Sequence, residues 1–277
     1  MSLDPATQLT IGLVGGSLLM LLLWVIQFFT RDAGIVDVGW SGSLGVLALF
    51  YGLTMPVASS RVWLVMAMAA VWSLRLAIYL LCNRVLGKHE DGRYQSLRAR
   101  YGPRAQVFFF LFFQVQALLA WLFSIPFWLA MRREGTALDF ADVVGASLWL
   151  MAFVGEATAD WQLARFRADS SNKGKTCRSG LWNYSRHPNY FCEWLHWWVY
   201  VVIAWQAPFG WTTLFAPALM LFFLFKVTGL PATEAQALAS RGEDYRDYQR
   251  TTSPFFPWFP QRGDSAASKS PNLPLDR

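Results

Sequence analysis

Charge is what this sequence is short of. Only 15% of its 277 residues are Asp, Glu, Lys or Arg, while 55% are hydrophobic and 17% aromatic. An ordinary soluble domain carries about 25% charged residues. A chain this poor in charge does not persist as a monodisperse globule in water, which excludes a soluble enzyme. Cysteine is scarce too: three residues make no disulfide framework. Histidine also numbers three, and His187 and His196 lie nine apart, on opposite faces of a helix. Glu193-x-x-His196 has a di-iron spacing but finds no second such motif, so no metal is expected. No glycine-rich dinucleotide fingerprint, Walker loop or internal repeat is present, which counts against Rossmann domains, P-loop enzymes and inverted-repeat transporters.

What the chain does have is long apolar runs. Seven segments reach the roughly 20 residues that cross a bilayer, near 8–29, 34–52, 61–82, 106–130, 139–160, 188–206 and 211–229. The first lacks a basic leader and a small-residue cleavage site, so it reads as a span and not a signal peptide. The net charge of +6 is distributed by position. With the N-terminus outside, 20 of the 24 cations fall on the inner side and three on the outer. That bias predicts an all-α, polytopic membrane protein of seven transmembrane helices, N-terminus outside and C-terminus cytoplasmic. Residues 1–260 read as one membrane domain, and 261–277 as a polar, disordered tail. A short interfacial helix is predicted over 232–248, followed by an aromatic anchor at Ser253–Pro260.

Ionisable residues within spans are costly and mark function. Here they gather at the inner ends: Asp37; Arg75, Tyr79 and Asn83; Glu156 and Asp160; Asn189, Glu193 and His196. At 100° per residue, Asn189, Glu193 and His196 share one helix face, as do Arg75, Tyr79 and Asn83. Helix-packing hydrogen bonds explain one such residue, but not nine on one side of the bilayer. Asp37 and Arg75 can also form a structural intramembrane pair. Two inner loops, 83–105 and 161–187, bring Lys and Arg to the same side, among them Arg165, Arg167, Lys173, Lys175, Arg178 and Arg186. Such loops suit a ligand with several phosphates, although positive-inside topology alone also asks for cations there. Arg186 and His187 precede Pro188 at the positive end of the sixth span, where an anion can dock.

The run Ser185-Arg-His-Pro-Asn-Tyr-Phe-Cys-Glu193 resembles the signature of the steroid 5-alpha-reductase family, as does Tyr245-x-x-Tyr248 leading into Ser253-Pro-Phe-Phe-Pro257. Trp72–Arg84 together with Glu90-Asp-Gly-Arg-Tyr94 is similar to its bacterial branch, once labelled a domain of unknown function. The resemblance covers about residues 30–260. It implies a seven-helix reductase, in the inner membrane of a bacterium, with an active site facing the cytoplasm. Such an enzyme takes NADPH from that side and an enone, typically a 3-oxo-Δ4 steroid, from the bilayer. Carried over by motif, Asp160, Arg167, Asn189 and Glu193 fall on cofactor-binding positions, with Arg75, Tyr79 and Asn83 nearby. Lys175 and Arg178 are looser candidates for the phosphates, and His187 and Tyr245 belong to the cofactor-side motifs.

Animal members of this family use a glutamate and a tyrosine at the steroid ketone. Here Asp37 and Trp72 stand at those places, and Cys192 replaces the more usual glycine. An indole donates a hydrogen bond but gives up no proton as a phenol does. The donor is then either a neutral Asp37, or another group such as Tyr94 or His89. The implied partners are membrane lipids and a lipophilic substrate, with no nucleic acid and no obligate protein partner. Two other classes compete. An isoprenylcysteine-type membrane methyltransferase shares the Arg-His-Pro-x-Tyr pattern but binds the cationic cofactor S-adenosylmethionine. A receptor or transporter would carry its polar groups to the midplane or to both faces.

Overall fold

The computed structural model describes residues 2–227 and 229–261, and among them there are helices and no strands. The elements are α1 (Pro5–Thr30), α2 (Ile35–Thr54), α3 (Ser60–Leu80), α4 (Gly92–Tyr101), α5 (Ala105–Met131), α6 (Phe140–Ala168), α7 (Pro188–Ala204), α8 (Phe215–Phe222), α9 (Leu230–Arg241) and α10 (Glu243–Thr251). Six helical stretches are long and apolar enough to cross a membrane. The seventh predicted span corresponds to 3-10 turns, α8 and a π-helical turn in succession (Gly210–Leu214, Phe215–Phe222, Phe223–Val227). α7 has 17 residues, about 26 Å of helix against a hydrocarbon core near 30 Å. It therefore falls short of that core by about one turn. The predicted tail lies, from residue 262 onward, outside the described residues.

The helices are arranged in two compact units, Met1–Trp149 with Trp197–Ala216, and Leu150–His196 with Pro217–Arg277. In the first unit α2 packs along α3 and α5, and α1 along α5 and α2. Asp4 starts α1 by accepting from Thr7 N at 3.0 Å, with Pro5 in the first turn. The polarity of α1 is inside out. Gln8, Gly12, Gly16 and Gln27 are buried, while Ile11, Val14, Leu18, Leu22 and Phe29 face outward. In water this arrangement would be unstable; in lipid it is the favourable one, because the tails solvate the large side chains and the small ones permit close packing. The buried amides are satisfied: Gln8 donates to Thr54 Oγ1 at 2.9 Å and accepts from Trp128 Nε1 at 2.8 Å, and Gln27 donates to Gln106 Oε1 at 2.8 Å.

Close approach of α2 and α3 rests on Gly45. Its N–H donates to Ser73 Oγ at 2.8 Å, and a Cβ there would stand 2.9 Å from Ser73 Cβ. The Ser73 hydroxyl in turn donates to the Ser41 carbonyl.

At one end of this unit lies a buried polar cluster that no motif in the sequence signals. Arg61 in the first turn of α3 is 1% exposed and grips Asp142 of α6 through two nitrogens at 2.9 Å. It also donates to the carbonyls of Arg133, Glu134, Gly135 and Ala137, closing the α5–α6 turn. Arg133 adds a contact to Asp139. Fully paired, these buried charges are tolerated; singly they are not.

In the second unit α6 continues eight residues past the predicted end of its span. Its 29 residues give a rod of about 44 Å, longer than the hydrocarbon core. Arg165 and Arg167 consequently sit on helix and not on loop. The predicted interfacial helix is two helices, because Gly242 adopts φ +55° and reverses the chain between α9 and α10.

Candidate functional site

In the first unit the chain turns from α3 into a π-helical turn, Leu81–Val85, then into α4, which Asp91 caps by accepting from Arg93 N at 2.9 Å. Single π-turns widen a helix by one residue and re-aim the side chains that follow. Arg84 leaves this turn toward Asp37 in the first turn of α2, at 3.8 Å. Arg93 of α4 reaches Asp37 Oδ2 at 3.1 Å, and the Tyr94 hydroxyl donates to Asp37 Oδ1 at 2.7 Å. The Asp37 side chain is 26% exposed, whereas Tyr94 is 3% exposed. The carboxylate thus joins a buried phenol to a solvent-reachable pair of guanidinium groups. Burial opposes ionisation of Asp91, but hydrogen bonds from Arg93 and the charges of Arg93 and Arg84 outweigh it and hold that carboxyl below its usual range.

Other sequence-predicted residues of this unit lie along α3. Trp72 is fully buried and stands edge-to-face with Trp197, ring centroids 5.8 Å apart. Trp197 continues into Phe123 and Phe127, which makes an aromatic core around it. Arg75 and Tyr79 are partly buried. The exposed Asn83 donates back to the Tyr79 carbonyl at 2.9 Å. His89 is exposed in the loop before α4.

In the second unit Asn189 donates to Asp160 Oδ1 at 3.2 Å, joining α7 to a buried part of α6. Glu193 is partly buried on α7, and Gly155 of α6 lets Cys192 pass close by. The Arg-His-Pro run and the C-terminal run meet on Glu234 of α9. Arg186 Nε lies 2.8 Å and His187 Nε2 3.2 Å from its Oε1, and Gln249 donates to its Oε2 at 2.8 Å. Tyr245 is buried at the same carboxylate; burial first, then the charge of Glu234, raises its phenol above the ordinary range. The Tyr248 hydroxyl donates to the carbonyls of Trp182 and Ser185, and Arg186 N donates to Ser253 O at 2.8 Å. The Arg-His-Pro run and the C-terminal run are one packed structure, with Glu234, which sequence reasoning missed, at its centre.

A cleft of about 290 Å³ opens beside the end of α6. Leu163, Phe166 and Cys177 give it an apolar side, and Arg167, Lys173, Lys175 and Arg241 give it four cations. Asp169 is the one acidic residue in its lining, held ionised below the usual carboxylate range by hydrogen bonds from Ser171 and, more weakly, by Lys175. Arg178, grouped with Lys175 in the sequence, is elsewhere. It pairs with Asp247 at 2.7 Å and Asp244 at 3.2 Å and lies over the Tyr248 ring.

Comparison with known proteins bears on residues in both units. Residues 23–252 match the family described as "Protein of unknown function (DUF1295)". An uncharacterised protein of Schizosaccharomyces pombe is 27% identical to this chain, covering 89% of it and 79% of the relative. No solved structure matches. With the match spanning most of the chain, this protein belongs to the DUF1295 family, as a helical member embedded in a membrane.

Proposed function

We propose that this protein is an NADPH-dependent membrane reductase that adds a hydride and a proton across the C=C bond of a lipophilic enone, a 3-oxo-Δ4 steroid giving the 5-alpha product being the substrate its motifs resemble. The observation that carries the reading is the Tyr94–Asp37 hydrogen bond. Two groups that compete in the sequence for the role of proton donor are a single pair, with a proton on the phenol and an acceptor on the carboxylate. In the proposed step the Tyr94 O–H rotates from Asp37 to a ketone oxygen placed against it and gives up its proton as negative charge develops there, leaving a phenolate that a proton from solvent then neutralises. Asp37 holds the phenol in place and, through its exposed edge, gives it a route to refill from solvent. Arg93 and Arg84 fix Asp37 from the other side and keep it from swinging away. His89 has no comparable support.

The cofactor fits the residues present. Its phosphates need concentrated positive charge near a polar backbone, and the four cations of the cleft beside α6 supply it. Arg167 and Lys175 would hold those phosphates. When bound, NADPH supplies the hydride that goes to the enone β-carbon. The same cleft disfavours the methyltransferase reading, because S-adenosylmethionine is a cation. The proposed enzyme has seven spans, its N-terminus outside, and works at the cytoplasmic face of a bacterial inner membrane. The test is to mix purified protein, NADPH and a panel of Δ4-3-ketosteroids. Loss of the reduced cofactor's absorbance with a product two mass units heavier is expected; no NADPH binding by calorimetry would end the reading.

A further inference from the structure

Positive-inside topology requires cations on the inner loops, but it does not require four of them to line one concavity. Gathering like charges raises the energy of the folded state, and a cleft that does so is built for an anion. The local structure shows how these four are selected. α6 overruns its span and so carries Arg167 to the cleft. Asp169 then caps a single 3-10 turn, Ser170–Asn172, and Asn172 donates to the Phe166 carbonyl at 3.1 Å, folding the loop back onto the helix. Gly174 follows at φ +79°, a conformation open to glycine at little cost, and sets Lys173 and Lys175 on its two sides. Thr176 N donates to Asp244 at 2.7 Å, and Arg178 is consumed by Asp244 and Asp247, which clamps the far end of the loop to α10. Arg241 arrives from the last turn of α9, its guanidinium 5.7 Å above the Tyr245 ring. Among the described residues Lys173, Lys175 and Arg241 have no ion-pair partner.

A volume of about 290 Å³ lies at the small end of ligand sites, which run from roughly 300 to 1,000 Å³. It is too small for a whole dinucleotide and well sized for one terminal group. Four cations exceed what one singly charged diester phosphate needs and suit a dianionic phosphomonoester. We infer that this cleft is a phosphomonoester site, and that Lys173, one of the loop cations, and Arg241, which no motif singled out, act there with Arg167 and Lys175 to select a 2′-phosphorylated dinucleotide over its unphosphorylated form. The identification of the monoester as the cofactor's 2′-phosphate rests on the reductase reading. The existence of the phosphomonoester site does not.

The experiment uses the full chain in detergent or nanodiscs, titrated with NADPH, NADH and adenosine 2′,5′-bisphosphate, and separately with nanodiscs containing phosphatidic acid. Lys173→Ala and Arg241→Ala are compared with wild type, and Arg246→Ala, an exposed cation outside the cleft, serves as the control. The expected result is NADPH binding at least 100-fold tighter than NADH. Each cleft variant should lower that ratio by 10-fold or more, with NADH affinity unchanged and the bisphosphate weakened in parallel. Because the ratio compares two ligands on one folded variant, general misfolding does not imitate it. An unchanged ratio overturns the inference and leaves the reductase reading intact. If the bisphosphate binds in an Arg241-dependent way but neither dinucleotide does, the phosphomonoester site stands and the reductase reading falls. Arg241-dependent binding of phosphatidic acid alone overturns the dinucleotide assignment and makes the source a lipid headgroup. Binding of none of these ligands overturns both.

Discussion

The Tyr94 hydroxyl lies 2.7 Å from Asp37 Oδ1, across 57 residues of chain. Tyr94 is buried against Phe112 and under the Arg93 guanidinium, which fixes its ring while the O–H stays free to rotate about the C–O bond. Tyr94→Phe removes the proton and retains the packing. Turnover is expected to fall by about 10²–10⁴-fold, the usual worth of a positioned acid. Asp37→Ala should also lower turnover, with little effect on NADPH affinity. Single-turnover cofactor oxidation and calorimetry on the same preparations separate the two effects. Full activity in Tyr94→Phe would remove the phenol from the chemistry.

Arg61 and Asp142 form a buried pair far along the chain from any motif. Arg61→Ala leaves Asp142 charged and dry and frees four carbonyls of the α5–α6 turn, a loss of about 3–5 kcal/mol. The apparent melting temperature in detergent should fall sharply. Replacing both partners by apolar residues is expected to recover part of that loss.

Gly45→Ala tests the approach of α2 to α3. The new methyl meets the Ser73 Cβ and Oγ, atoms too close to the backbone to swing aside. A destabilisation of about 1–3 kcal/mol is expected. Pairing it with Ser73→Ala should return some stability, although the Gly45 N–H then loses its acceptor.

Tyr248 sets an alkaline limit. Burial first, and then the neighbouring Tyr245 and Cys177, raise its phenol above the ordinary value near 10. A raised folded-state pKa contributes stability that is complete below pH 10 and is lost as pH rises toward the folded value. Unfolding should therefore become easier above pH 10, and Tyr248→Phe should weaken that dependence. Ultraviolet difference titration of wild type against Tyr248→Phe would show one late-ionising phenol fewer in the variant.

Topology is a separate expectation. A reporter fused after residue 261 should lie on the cytoplasmic side, and one at the N-terminus on the outer side. The two on the same side would mean an even number of crossings and overturn the seven-span topology.

How much was legible in the sequence differs between elements for physical reasons. Apolar runs determined helices, their approximate limits and a membrane environment, because lipid imposes length and polarity on each segment separately. That polar residues near the ends of α6 and α7 belong together was legible too, and Asn189 donates to Asp160. Local pattern did not show that α6 would extend past its span, since Trp161–Ala168 is polar enough to read as loop and still favours helix. Side-chain pairing over long separations was beyond it altogether. Arg178 and Lys175 look alike in sequence, yet one is neutralised by α10 and the other lines a cleft. Arg241 and Glu234 belong to no motif, and only the reversal at Gly242 and the packing of α9 bring them to their places. The charge deficit settled which solvent the chain lives in. Which of its few charges face each other, and which face a ligand, was decided by the tertiary fold, because ion pairing depends on distances that sequence spacing does not fix.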